Sequence, residues 1–223
     1  MVEAAGADLI EVGVPFSDPL ADGVTIQRST QAALDQGMTV ARVLELIHQA
    51  ALRIPVVIMT YFNPVLAYGL ERFLVDAHAA GVSGLLLTDF PAGADSEVER
   101  LVTGSPLALI RLVAPTTTQP RLTRAARGAS GFIYLISRLG VTGVRDEVPS
   151  DIASHVARIR AVTPLPVAVG FGISTATQAR AAARVADGVV VGSALVEALA
   201  TGDLQVAERL VRDLSAAVRN GQR

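Results

Sequence analysis

The stretch EVGVPFSDPLADG (11–23) carries three carboxylates, Glu11, Asp18 and Asp22. Glu11 interrupts an apolar, strand-like run, and the two aspartates lie in the Pro/Gly-rich loop that follows. Side chains alternate along a strand. A strand over 8–14 therefore turns Ile10, Val12 and Val14 to one face and Leu9, Glu11 and Gly13 to the other. A carboxyl buried without a cation is pushed up by desolvation. A group tuned in that way can give or take a proton near neutral pH, which is general acid–base chemistry. The competing assignment is a structural ion pair. The chain has no lysine, and only Arg111 lies inside a predicted strand, so the pair would be Glu11–Arg111. Asp22 before Gly23 and Asp18 before Pro19 each also suit a simple turn. The length of the loop and its attachment to the Glu11 strand favour a mobile segment that brings a second carboxylate over the same pocket.

Two glycine-bearing turns come late, GFGIS (170–174) and GSA (192–194), each where a strand meets a helix. Glycine lets backbone approach a ligand, and the helix start that follows presents free N–H groups to an anion. The segment SRLGVTGVRDEVPSD (137–151) has neither period. Loops of that size in compact domains are often lids. Gly140 and Gly143 would supply its mobility and Thr142 a hydroxyl.

These residues need a scaffold, and the hydrophobic pattern supplies one. Short apolar runs at 8–14, 55–61, 84–90, 107–113, 131–137, 166–171 and 188–193 read as strands buried on both faces. Helical patterns fall near 39–52, 67–80, 94–103, 119–128, 151–162, 174–185, 193–200 and 203–219. Ser174 and Asp203 suit helix starts, and Gly81 suits a stop. Strands alternating with helices predict a parallel sheet with right-handed crossovers. The expected architecture is α/β, a (β/α)8 TIM barrel in a single domain over 1–223; a doubly wound open sheet is the runner-up. The count is one strand short. Residues 2–5 read as the tail of a helix stopped by Gly6, so the first strand and most of the first helix are expected to be absent. On that count the strands at 166–171 and 188–193 become the seventh and eighth, after which barrels often hold a phosphate.

Composition narrows the chemistry. Absence of lysine excludes a Schiff base. Absence of cysteine excludes a disulfide framework and a thiolate metal site. His48, His78 and His155 lie in helical stretches away from the glycine turns, so no His-ligated catalytic metal is expected. A net charge of −2 gives no general attraction to nucleic acid or anionic lipid. No signal peptide and no apolar run of membrane-spanning length is visible, which makes the cytoplasm the expected compartment.

Read together, IEVGVPFSDPLADG, APTTT, YLISRLGVTG, VGFGIS and DGVVVGSALV resemble the tryptophan synthase α-chain family over essentially the whole chain. The resemblance implies a lyase that splits indole-3-glycerol phosphate into indole and glyceraldehyde 3-phosphate by a retro-aldol step, without a cofactor. It implies Glu11 as the catalytic acid and Asp22 as the carboxylate that accepts the indole N–H. The substrate phosphate would lie on Gly143, Gly172, Gly192 and Ser193. Tyr61, Tyr134 and Phe171 would line the pocket, and Thr142 would be a lid hydroxyl meeting Asp22 on closure. The implied partner is the β chain of an α2β2 complex, which carries the pyridoxal phosphate; Asp18, and Asn63 with Pro64 in a second loop, would dock it. Val24 stands where the family usually has proline. Two alternatives remain at this level. One is an α-type chain that binds and regulates a β chain without catalysis. The other is a different phosphate-binding barrel, such as an isomerase.

Overall fold

The structure, a computed structural model, describes residues 1–136, 150–170 and 172–221, which form two compact units. The first unit holds residues 8–111 and 128–131, the second residues 1–7, 112–127 and 132 onward.

In the first unit β1 (Ile10–Gly13), β2 (Val56–Thr60), β3 (Val82–Leu87) and the start of β4 (Ala108–Val113) pair in parallel in that order. Parallel neighbours need crossovers. These are supplied by α1 (Val24–Asp35), α2 (Val40–Ala50), α3 (Phe62–Tyr68), α4 (Leu70–Ala79) and α5 (Ser96–Thr103). Alternation gives the sheet two faces. Val14, Val56, Ile58, Leu85 and Leu109 join a buried cluster with Val43 and Ile47 of α2, Phe73 of α4 and Val102 of α5. Register places Glu11, Val57, Gly84 and Ala108 in one row of the other face, and Gly13, Met59, Leu86 and Ile110 in the next. Space at Gly84 is tight: a Cβ there would stand 2.6 Å from Ile110 Cδ1 and 3.2 Å from the Ala108 carbonyl oxygen.

In the second unit β5 (Ile133–Ile136), β6 (Val167–Gly170) and β7 (Gly188–Val190) pair in parallel. Around them lie α6 (Gln119–Arg127), α7 (Ser150–Arg160), α8 (Ala176–Ala183), α9 (Ser193–Ala200) and α10 (Leu204–Gly221). Buried Ala179, Ala182 and Ala183 of α8 let α10 come close. The N-terminal segment forms a turn rather than a classified helix, and Gly6 in it has φ +102°. It is tied to α10 through Ser215, whose hydroxyl donates to the Gly6 carbonyl at 2.8 Å.

The seven expected strands are present with shorter ends, and two helices were not anticipated. α1 has no buried residue and opens on β-branched Val24, Thr25 and Ile26, so it shows no apolar stripe and weak propensity. The helix expected over 67–80 is α4, which begins at Leu70; Gly69 (φ +96°) separates it from α3, the second unanticipated helix. Helix α3 contains Asn63 and Pro64, which were expected in a loop; proline is compatible with a first turn because its missing N–H would be unpaired there anyway. The N-cap of α8 is Thr175, one residue later than Ser174, and it forms a capping box with Gln178.

Phe73 is fully buried in the helix-side cluster. Phe73→Ala is expected to cost about 3–5 kcal/mol, measured by urea unfolding; a loss below about 1 kcal/mol would show that α4 does not depend on this contact.

Candidate active site

Glu11 is the second residue of β1, on the sheet face away from the helices. Its row neighbours Val57, Gly84 and Ala108 offer no polar side chain. The residue is half-buried, but Oε1 is shielded from solvent and has no hydrogen-bond partner among the described residues. Desolvation raises its pKa from 4.5 to about 7. The ion pair with Arg111 does not form. Register leaves Arg111 off the Glu11 face, and its guanidinium pairs with Glu99 of α5 and donates to the Phe90 carbonyl at 3.3 Å. A proton donor near neutral pH is what this environment makes of a glutamate.

Asp22 lies in the loop between β1 and α1. Burial raises its carboxyl, and a hydrogen bond from the Tyr61 phenol opposes that shift. Tyr61, directly after β2, is buried; its oxygen accepts the Ala21 N–H at 2.8 Å and its ring lies 5.4 Å from that of Phe16. Burial pushes the phenol up as well, and the Asp22 charge adds to this while the Ala21 N–H pulls the other way. The phenol thus fastens the acidic loop to the end of β2. Asp18, in the same loop, is exposed and takes the Ser17 hydroxyl at 2.6 Å, and its neighbour Leu20 is 91% exposed.

The second unit contains the remaining described candidates. Tyr134 of β5 is buried against β6, where a Cβ on Gly170 would stand 2.1 Å from the Tyr134 oxygen. Gly170 is therefore needed for the ring to lie there. Gly172 has φ +83°, a conformation that favours glycine. Helix α9 begins at Ser193 after Gly192 with no side-chain cap, and a Cβ on Gly192 would meet nothing within 4 Å. Its first N–H groups are available to an anion. Thr142, Gly143 and Phe171 lie outside the described residues. His48, His78 and His155 fall on α2, α4 and α7, and the described residues contain no cluster of metal-ligating side chains. An open cavity of about 360 Å³ near Arg160, Thr163 and Asp187 lies at the N-terminal end of β6. There Asp187 accepts the Val167 N–H and pairs with Arg160, which is structural work at the opposite end of the strand from Gly170.

Sequence reasoning missed Thr88 and Asp89. The expected strand ran through residue 90, whereas β3 ends at Leu87 and leaves both residues beyond its C-terminal end. The signal was there: two polar residues closing an apolar run at the end where barrel chemistry collects.

The Glu11 shift has a consequence for stability. Between pH 4.5 and about 7 the unfolded carboxyl ionises while the folded one stays protonated, so stability falls as pH rises through that window. Glu11→Gln removes this loss. Its stability relative to the parent should rise by about 2 kcal/mol from pH 4.5 to pH 8, the full shift being discounted for partial exposure. Urea unfolding at the two pH values measures the difference, and parallel pH dependence of the two proteins would contradict the buried, unpaired state of Glu11.

Comparison with known proteins agrees with this geometry. A family model described as tryptophan synthase alpha chain matches residues 1–222. The tryptophan synthase alpha chain of Citrifermentans bemidjiense is 51% identical over 198 residues, which cover 88% of this chain and 74% of that one. That of Geobacter sulfurreducens is 47% identical over 199 residues, covering 88% and 75%. Among solved structures, tryptophan synthase of Mycobacterium tuberculosis has a TM-score of 0.90 at 41% identity, covering 98% of this chain and 84% of that chain. The alpha subunit of Legionella pneumophila has a TM-score of 0.87 at 33% identity, with coverage of 98% and 84%. These likenesses bear out the (β/α)-barrel class, of which the described residues hold seven strands. With the motif around Glu11 and Asp22 set in that framework, the chain belongs to the tryptophan synthase alpha chain family.

Proposed function

We propose that this chain is a carbon–carbon lyase of tryptophan biosynthesis that cleaves indole-3-glycerol phosphate to indole and glyceraldehyde 3-phosphate. The observation that carries the reading is Glu11: a carboxyl on an apolar sheet face, with an unpartnered oxygen and a pKa of about 7. Cleavage needs a proton on the indole carbon attached to the glycerol chain. Glu11 delivers it, which breaks the aromaticity of the five-membered ring and turns that carbon into a leaving group. Asp22 accepts the indole N–H and stabilises the positive charge that develops on the ring nitrogen. The bond to the glycerol carbon then breaks, its electron pair returns to the ring, and the hydroxyl on that carbon loses its proton as the aldehyde forms. Glu11, now ionised, is the group to take that proton, so the protons balance over the cycle.

The phosphate reading rests on Gly143, Gly172, Gly192 and Ser193. The uncapped start of α9 and the open space at Gly192 support it. The resemblance assigns Tyr61, Tyr134 and Phe171 to the substrate pocket and Thr142 to a lid that meets Asp22. The chain itself uses no cofactor; pyridoxal phosphate belongs to the β chain, and no step above passes through it. Asp18 with the neighbouring exposed Leu20, and Asn63 with Pro64 at the start of α3, form the docking surface for that β chain in an α2β2 assembly. The compartment is the cytoplasm; no described helix is long and apolar enough to cross a membrane.

Indole release from indole-3-glycerol phosphate, assayed with and without a β chain, tests the reading. Glu11→Gln should lower turnover by at least about 10²-fold. Turnover of the parent should decline as pH rises through about 7, where the acid form of Glu11 is lost. A Gln variant with parental turnover would overturn the role of Glu11. A chain that stimulates a β chain yet releases no indole would select the non-catalytic regulatory reading.

A further inference from the structure

The run Thr88–Asp89–Phe90, just past β3, grips Thr60–Tyr61–Phe62 at the end of β2. The Thr88 N–H donates to the Thr60 carbonyl at 2.9 Å, and the Thr88 hydroxyl is within hydrogen-bonding reach of the Tyr61 phenol. Asp89 Oδ1 accepts the Phe62 N–H at 2.7 Å. The Phe90 ring lies 4.9 Å from the Phe62 ring. Phe90 is held in turn by Arg111, which donates to its carbonyl and stands 5.8 Å over its ring. Arg111 is anchored by Glu99.

Tyr61 therefore stands between two attachments. Its backbone is fixed from the β3 side, while its phenol holds the Ala21 N–H and the Asp22 carboxyl on the other. Among the described residues, Asp89 Oδ1 is the acceptor that holds the Phe62 amide, the peptide link next to Tyr61. Freeing that amide lets the backbone at Tyr61 rotate, and the hydroxyl lies at the far end of a long side chain. A displacement there of about 1 Å is the scale at which misplaced groups lose up to about 10²-fold in rate.

We infer that Asp89 is a positioning residue for the cleavage: by accepting the Phe62 N–H it sets the Tyr61 phenol, which orients the Asp22 carboxylate. The inference rests on the reading of Asp22 given under the proposed function. Asp89 itself touches no reacting atom in this scheme, and an asparagine keeps the accepting oxygen.

The test is a cycle of Asp89→Ala, Asp89→Asn, Tyr61→Phe and the Asp89→Ala/Tyr61→Phe double variant in the full chain assayed with its β chain. Asp89→Ala should lower kcat about 10-fold with KM within about twofold, and Asp89→Asn should stay within about threefold of the parent. In the Tyr61→Phe background Asp89→Ala should add nothing, because residues acting through one another are not additive. Independently of turnover, hydrogen exchange at the Ala21 amide, read by NMR, should quicken about 10-fold in Asp89→Ala and stay at the parental rate in Asp89→Asn. An equal loss of kcat in both Tyr61 backgrounds, or unchanged Ala21 exchange in Asp89→Ala, overturns the inference. Should Asp89→Ala not fold, Asp89→Glu, which keeps the charge but moves the acceptor, takes its place with the same expectations. An inactive parent would sink the lyase reading alone, since the exchange measurement still decides the role of Asp89.

Discussion

A carboxyl group facing Val57 and Gly84 on the apolar side of a parallel sheet is hard to ionise, and the candidate chemistry depends on that constraint. Water is largely kept from Glu11 Oε1, no cation replaces it, and no described donor satisfies it. The neutral acid therefore persists up to a pH of about 7. The arrangement lowers stability as pH rises, which is a common property of functional sites: the fold tolerates a group that a purely structural design would replace.

Arg111 makes the contrast plain. It is also charged, also on a strand, and only 4% exposed, but it lies near α5 and meets Glu99 there. Its guanidinium further supports the Phe90 carbonyl and ring. Gly128 leaves the room, since a Cβ at that position would stand 3.3 Å from Arg111 Nη2. One sheet thus carries a buried arginine neutralised by pairing and a half-buried glutamate whose shielded oxygen is left unpaired. The unpaired one is on β1, the strand that leads into the loop whose Ala21 and Asp22 the Tyr61 phenol holds.

The two carboxylates differ in how they are held. Glu11 is positioned by a strand, whose register is enforced along four residue pairs with β2. Asp22 is positioned by a loop, and a loop needs an external fastening. The Tyr61 phenol provides it through a backbone N–H and a side-chain bond at adjacent residues, Ala21 and Asp22. A proton donor on a rigid strand and a charge-stabilising carboxylate on a fastened loop suit a reaction in which the loop has to admit and release substrate.

The sequence by itself determined the seven strands, the face on which Glu11 lies and the family, because strand periodicity and short motifs are local properties of the chain. Local patterns failed where the neighbours were distant. Helix α1 has no buried stripe to reveal it, and the Asn63–Pro64 pair reads as loop until the Phe62 amide is seen capped by a residue 27 positions away. Whether Glu11 met Arg111 was likewise undecidable from composition, since both assignments suit a strand carboxylate. Only the tertiary structure decided it: parallel pairing puts the two side chains in different environments, and a charge is set by what surrounds it in space rather than by what precedes it in the chain.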